Sequence, residues 1–539
     1  MELENFSIPA TNRFASLYLE QKPPVKDFFH YDIMDSSFFQ RRVEDLQKRT
    51  FPREQLADCI RRFMEKFGIT PEIHRSLQKL RQENAAVVIG GQQAGLLTGP
   101  LYTIHKLISI IKLAQMQEEA LHIPVVPVFW IAGEDHDYLE VNHVFTVCGR
   151  SLKKLNYTEG PLQKKMISDT KPDRAHLKKW IHKVFETFGE TKHTKKVLAQ
   201  LEKFVDQSES LTDAFAFIVH DLFHEYGVLL IDSADPRLRE IEAPFFVRII
   251  REYETITAAV FAQQEKMAKF EFPKAIDISR RALNLFYYDG TERILLEYDP
   301  EQGGFTGKNG SVFFTKEQLL EISRQTPERL SNNVVTRPLM QEWLFPSLAF
   351  IGGPGEIAYW GELKQAFEKI GFLMPPLVPR LNITLLERSI QRDIKELGLE
   401  IEQVLKHGTA EERQAYWNSV KDENLDALIS ETEAMLETQY DAILSAVSKG
   451  LEPLARKNLN FHLNQLAFLQ RKINEDIERK HDVMLEKYAR IERALRPDGI
   501  PQERVWNIFY FLNKYGKDLI RDLLSLPYTF DGTHKLVKI

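Results

Sequence analysis

The sequence predicts an α/β fold, a parallel sheet with helices on both faces, that carries a long antiparallel helical arm. Three observations predict it: four short apolar runs that each stop at a glycine or acidic loop, helical periodicity between the runs, and a heptad repeat late in the chain. At 539 residues the chain exceeds the roughly 250–300 at which a single hydrophobic core stops growing, so two structural bodies are expected.

The first run is Ala85-Ala86-Val87-Val88-Ile89, which ends at Gly90-Gly91. The segment after it, Tyr102 to Met116, places Ile104, Leu107, Ile108, Ile111 and Leu113 at helical spacing. The second run, Val125 to Ile131, closes on Ala132-Gly133 and the acidic loop Glu134-Asp135-His136-Asp137. The third, Gly227 to Ile231, meets Asp232, and the fourth, Leu348 to Ile351, meets Gly352-Gly353-Pro354-Gly355-Glu356 and a helix from Ala358 to Ile370. Strands that are apolar on both faces suit a buried parallel sheet. In such a sheet the ligand crevice lies beyond the carboxyl ends of the strands, where all four loops sit.

Residues 1–85 read as helical segments with loops. Two insertions interrupt the core, one at about 150–215, Lys-rich and mostly helical, and one at about 255–335. The second holds an antiparallel hairpin, with Asp289-Gly290 as the turn between Leu285-Phe286-Tyr287-Tyr288 and Ile294-Leu295-Leu296. The core is thus expected to span 1–383 and the arm 384–496, with 497–539 returning to pack on the core.

In the arm, Leu459, Leu463, Leu466, Ile473, Ile477, Met484 and Ile491 follow heptad spacing, with polar Gln470 and Lys480 at two seam positions. A preceding helix from Glu411 to Val447 can pair with it antiparallel through Leu425, Leu428, Leu436, Ile443 and Val447. A hydrophobic seam on a projecting arm points to intramolecular pairing together with oligomerisation, and a homodimer is expected.

Composition excludes several classes. The hydrophobic fraction of 43%, charged fraction of 27% and net charge of −6 are those of an ordinary globular protein with no global electrostatic partner. No run approaches the ~20 apolar residues of a membrane span, and the first residues lack a secretory pattern, so a cytoplasmic protein without membrane contact is expected. Cys59 and Cys148 are too few for a disulfide framework or a cysteine zinc site and read as small buried hydrophobes. Lys and Arg outnumber Asp and Glu between Arg150 and Lys203. A solvated helical insertion accounts for this better than steering of an anionic substrate or contacts to RNA, and no nucleic acid is expected.

The loop from Gly90 to Pro100 is the most informative segment. Glycines after a strand permit close backbone approach, and the next helix offers its N-terminal N–H groups to an anion, although tight turning alone would also use them. Leu96-Leu97 stand where a Walker loop needs Lys and Ser or Thr, and no GxGxxG is present. The acidic loop, with Asn142 and His143 soon after, could orient an ammonium or accept a proton from an attacking amine. It has no recognisable ligand spacing, and no metal is expected.

Together, GGQQAGLLTGPLYTIHK, FWIAGEDHDYLEVNH, FIGGPGEIAYWGELK, PLVPRLNITLLE and QERVWNIFYFLNKYG resemble the bacillithiol-forming BshC family over essentially the whole chain. The resemblance implies addition of L-cysteine to the amino group of glucosamine-malate, the last step of bacillithiol biosynthesis. It also implies a Rossmann-like core similar to class I aminoacyl-tRNA synthetases, with connecting-peptide insertions and a coiled coil that dimerises. A carboxylate needs activation before it condenses with an amine, which makes ATP or another nucleotide the expected cosubstrate. No HIGH tetrapeptide or KMSKS segment is present, so the sequence leaves ATP use open. On this reading the ligand contacts are Gly91, Gln92, Gln93, Thr98, Gly99, Tyr102, His105 and Lys106, with Gly353, Glu356 and Arg380 on the opposite wall. Asp135, His136 and Asp137, with Asn142, would orient the amine or take its proton. The alternative is a non-catalytic nucleotide-binding scaffold of the same pathway.

Overall fold

The computed structural model describes residues 1–148, 151–160, 164–307 and 310–539. The chain divides into two compact units, Met1–Leu385 with Gln502–Ile539, and Leu386–Pro501.

The first unit is α/β, built on five parallel strands: β1 (Ala86–Gln92), β2 (Val125–Ile131), β3 (Leu229–Asp232), β4 (Ser347–Gly352) and β5 (Leu377–Pro379). Their order is β5-β4-β1-β2-β3. Succession runs outward from β1 through β2 to β3, then resumes on the other side of β1 at β4. The switch point, where doubly wound sheets open a crevice, therefore lies between β1 and β4. The four apolar runs are four of these strands. The fifth is only three residues long and ends in proline, too short to show a period.

Helix α1 (Tyr102–Leu121) packs on β1 and β2 and is buried on nearly all sides through its first three turns. Its last turn ends at His122 in the left-handed region, φ 55°. Helix α2 (Pro236–Ala268) begins at an Asp235 cap and crosses beneath the second insertion. Helix α3 starts at Pro354 rather than Ala358 and stops at Gly361, with a separate helix at Lys364–Lys369. Glu362 causes the break: its carboxylate turns inward to accept the N–H of Ala275 at 2.5 Å and Gln264 Nε2 at 2.7 Å.

The second insertion is an antiparallel sheet in which Ala282–Tyr288 and Arg293–Asp299 form the expected hairpin, Tyr288 opposite Arg293. Asp289 Oδ1 accepts the N–H groups of Thr291 and Glu292 at 2.7 and 2.8 Å, which closes the turn. The Lys-rich insertion holds helices Arg174–Phe188 and Thr194–Gln207, and a strand ribbon, His143–Cys148 with Ser151–Asn156, that the sequence pattern did not suggest. Glu2–Phe6 pairs antiparallel with His534–Lys538, so the two ends of the chain share one small sheet. Cys59 is buried, which pushes its thiol pKa up to about 12; the side chain of Cys148 lies outside the described residues.

The second unit is helical. Helices α4 (Glu423–Ala446) and α5 (Glu452–Lys480) run antiparallel, and the seam residue Gln470 donates to Asp426 at 2.7 Å. Leu459, Leu463, Leu466, Ile473 and Ile477 are half-buried, as are Leu425 and Leu436 of α4 and Val447 just after it. Leu428 and Ile443 are not in the seam: they are 59% and 43% exposed, while Ile429 is buried. From Leu425 the seam steps by four to Ile429 and by seven to Leu436, and Leu428 falls about 100° short of that stripe. The heptad run is also not one helix. It breaks at His481, whose Nδ1 lies 2.9 Å from Tyr416 OH, and Ile491 is buried in a separate helix, Asp482–Leu495. Among the described residues, no helix is long and apolar enough to cross a membrane.

Candidate active site

A cavity of about 430 Å³ opens beyond the carboxyl ends of β1, β2 and β4, at the switch point. Gly91, Gln92 and Gln93 form one wall and Gly353 to Glu356 the other, with Tyr102 and Lys106 of α1 between them. Gly91 is demanded by packing, because a Cβ there would sit 3.0 Å from the Trp130 carbonyl oxygen on the paired strand. At Gly355 a Cβ would meet nothing within 4 Å, so that side of the cavity is open.

Lys106 ties the two walls together. Its Nζ donates to the Gly91 carbonyl at 2.6 Å, to Glu356 Oε2 at 2.6 Å and to Gln92 Oε1 at 3.3 Å. The same Glu356 oxygen accepts the Gly353 N–H at 2.8 Å. Burial depresses the lysine pKa while Glu356 opposes that shift. The pair is internally neutral and contributes shape rather than free charge.

Arg380 follows β5, and its own N–H is held by the Gly352 carbonyl at 2.9 Å. Its Nη2 donates to Glu503 Oε1 at 2.8 Å, and its Nη1 is buried with no hydrogen-bond partner among the described residues. Burial pushes the Glu503 carboxyl up, but Arg380 and then His105 outweigh it and hold its pKa at about 2. His105 Nδ1 lies 3.5 Å from Glu503 Oε2, behind the cavity wall. Arg380 and Arg504 both lie over the Tyr102 ring, 5.7 and 5.9 Å from its centroid. Arg337 lines the cavity from the helix before β4 and donates to Tyr359 OH at 2.5 Å.

At the end of β2, Asp135 Oδ1 accepts the His136 N–H at 2.7 Å and Oδ2 accepts Gln93 Nε2 at 2.6 Å. Of the residues singled out from sequence, Gly91, Gln92, Gln93, Tyr102, Lys106, Asp135, Gly353, Glu356 and Arg380 line this one cavity. Thr98, Gly99, His105, His136, Asp137 and Asn142 do not. Thr98 and Gly99 have positive φ, and the Asn507 side chain grips the Leu97 and Gly99 carbonyls at 2.8 and 2.7 Å. Asn142 donates to the Tyr157 carbonyl at 3.0 Å and anchors the ribbon. Sequence reasoning missed Arg337, Arg504 and Glu503, and noted Tyr359 only as lying close behind the fourth-strand glycines. Glu503-Arg504 lie inside a segment that carries the family resemblance, a hint that was available; Arg337 sits in no motif.

Asp232 ends β3 and accepts Ser168 Oγ at 2.6 Å and the Ala234 N–H at 3.0 Å, directly against Gly133. Burial pushes its pKa up to about 7. A folded pKa above the unfolded value means that its contribution to stability is full below about pH 4 and is lost as pH rises through about 7. Asp232→Asn, neutral at every pH, is expected to match the wild type only at about pH 4 and below, to exceed it increasingly as pH rises, and to unfold at clearly higher urea concentration near pH 8. A variant less stable than wild type at pH 8 would show that the carboxylate is charged and satisfied.

The family model described as the bacillithiol biosynthesis BshC N-terminal Rossmann-like domain matches residues 1–381, and that of the BshC C-terminal coiled-coil domain matches 383–539. Relatives named "Putative cysteine ligase BshC" are 43% identical in Geobacillus sp. strain WCH70, 44% in Geobacillus thermodenitrificans and 41% in Bacillus velezensis, each over 100% of both chains. A solved chain described as "putative arginyl t-RNA synthetase" from Campylobacter jejuni aligns over 85% of this chain and 98% of its own at 12% identity, with a TM-score of 0.23, too low to bear on the site. Among the described residues, no group of three or more His, Cys, Asp or Glu is placed to hold a metal ion.

Proposed function

The chain belongs to the bacillithiol biosynthesis BshC family, and from that premise we propose that it is a ligase joining the carboxyl of L-cysteine to the amino group of glucosamine-malate. One observation carries the reading: Arg337, Arg380 and Arg504 converge on a cavity whose remaining cation, Lys106, is already neutralised by Glu356. Guanidinium groups bind carboxylates and phosphates in bidentate fashion, and the partnerless Nη1 of Arg380 is a donor waiting for such an oxygen. The malyl carboxylates fit this end, and Asp135 at the other end can receive the ammonium. ATP or another nucleotide is the proposed cosubstrate and would supply activation of the cysteine carboxyl; the same arginines suit its phosphates. The setting proposed is cytoplasmic.

Incubating purified protein with cysteine and glucosamine-malate, with and without ATP, tests the reading by mass spectrometry of bacillithiol. Product that requires the nucleotide is the expected result. Absence of product under every nucleotide tried would favour a non-catalytic scaffold.

The arm is proposed to join two copies of the chain. On α5, Leu454, Phe461 and Phe468 repeat every seven residues and are 63%, 57% and 46% exposed, and on α4 Leu428 and Met435 are also open. Apolar side chains repeating at heptad spacing outside the hairpin seam mark a second packing face. Replacing Leu454, Phe461 and Phe468 together by Asp is expected to halve the sedimenting mass while far-UV circular dichroism keeps its helical signal. Replacing Leu466 and Ile473 by Asp instead buries charge inside the hairpin and is expected to cost helical signal as well. A triple variant that stays dimeric would place the interface elsewhere.

A further inference from the structure

The insertion sheet meets the acidic loop at Arg293 and Phe286. Arg293, in the strand Arg293–Asp299, is anchored by its backbone N–H to the Lys164 carbonyl at 3.0 Å, and its guanidinium is buried over the Phe286 ring, 3.9 Å from the centroid. Its Nε donates to Ser331 Oγ at 2.8 Å and its Nη2 to the Asn332 carbonyl. Behind it, Glu134 is paired with the buried Arg239, which Glu242 also holds at 2.6 Å. The remaining donor, Nη1, lies 3.4 Å from His136 Nδ1. The other side of the imidazole meets the edge of Phe286, ring centroids 5.7 Å apart.

We propose that Arg293 is a positioning residue for the ligase reaction: by donating to His136 Nδ1 it fixes His136 as the neutral tautomer protonated on Nε2, removing it from base work and leaving Asp135 to take the proton from the attacking nitrogen. The inference rests on the proposed ligase reading. An arginine cannot accept a hydrogen bond, so a nitrogen that faces it must present its lone pair. The lone pair of a histidine held this way is occupied, and the opposite nitrogen already carries its proton. Neither can remove a proton from the amine. In the step assigned to Asp135 an N–H bond of the substrate ammonium breaks and its proton forms an O–H bond on the carboxylate; the freed nitrogen pair forms the C–N bond to the activated cysteine carboxyl, and the C–O bond to the activating phosphate or nucleotide breaks, that group leaving with the electron pair.

The charged groups around His136 agree. Asp135 and Asp137 on its own loop favour the imidazolium, and Arg293 from the insertion sheet and Lys164 from the preceding segment oppose it. Burial and then Arg293 dominate and hold the imidazole pKa below its ordinary value. Asp137 Oδ1 is 3.9 Å from Nε2, on the side where this tautomer carries its proton.

The first test uses the intact protein without substrate: selective ¹⁵N-histidine labelling, with the His136 signal identified by its loss in His136→Gln. A neutral ring protonated on Nε2 that titrates below an ordinary histidine is expected. A ring protonated on Nδ1, or one that titrates at or above the ordinary histidine value, overturns the proposal whatever the enzyme's activity. The second variant, Arg293→Lys, keeps the buried charge but loses the planar fork that lets one side chain hold Ser331, Asn332 and His136 at once. It is expected to move the His136 titration upward and to lower kcat on the order of 10- to 100-fold through misplacement of the loop, with KM for cysteine little changed. The acid limb of kcat/KM should be the same in both proteins and should not follow the His136 titration. An unmoved titration in Arg293→Lys, or an acid limb that follows His136, overturns the assignment. Failure to form bacillithiol with a correctly protonated His136 would instead count against the ligase reading.

Discussion

Asp135→Asn is expected to lower kcat by about 10²- to 10⁴-fold while KM for cysteine changes only a few-fold, the range associated with loss of a positioned general base. Asp135 is the only one of the three acidic-loop candidates, Asp135, His136 and Asp137, that lines the cavity. Both of its oxygens accept hydrogen bonds from neutral donors, the His136 N–H and Gln93 Nε2, which orient the carboxylate without supplying a counter-ion. The amide keeps the shape of the site: its oxygen can still take the His136 N–H, and Gln93, whose Nε2 is still held by Glu140 Oε2 at 2.8 Å, loses only its bond to residue 135. What disappears is the capacity to accept a proton. Single-turnover measurement of bacillithiol formation separates this from slow product release, and a loss smaller than about 10-fold would move the base elsewhere.

Glu342→Ala is expected to destabilise the α/β unit by about 3–5 kcal/mol, the cost of stranding a buried charge. Arg42 and Glu342 are 1% and 0% exposed and meet at 2.7 Å, and Arg49 joins the same carboxylate. Arg42 also donates to the Ser347 carbonyl at 2.9 Å, which locks the N-terminal helix Phe38–Leu46 onto the start of β4. Removing the carboxylate leaves two guanidinium groups without their shared counter-charge, and neither can shed its proton near neutral pH. Urea unfolding followed by tryptophan fluorescence should show a lower midpoint. Glu342→Gln should fall between the two, because the amide oxygen restores one acceptor but no charge. A midpoint unchanged in Glu342→Ala would mean that water replaces the carboxylate.

Much of the candidate site's framework was legible because it is local. Val87 to Ile89 and Val125 to Ile131 are apolar on both faces and abut glycine, so the sequence by itself determined that they are buried parallel strands and that Gln92, Gln93 and Asp135 stand at their carboxyl ends. Hydrophobic periodicity repeats within a few residues and survives without tertiary context. It likewise marked the two arm helices, but it could not choose between Leu428 and Ile429, because neighbouring apolar residues differ only in which way the partner helix turns them.

Tertiary structure alone decided the polar geometry. Arg337, Arg380 and Arg504 come from three distant segments, and Glu503 lies 123 residues from the Arg380 it holds. The fifth strand, the pairing of Glu2–Phe6 with His534–Lys538, and the contact of Arg293 with His136 are of the same kind. The physical reason is that a buried charge or strand edge is satisfied by whichever partner the fold delivers. The energy that selects the partner, several kcal/mol for an unpaired buried ion, exists only once water has been excluded, so it leaves no period or spacing along the chain.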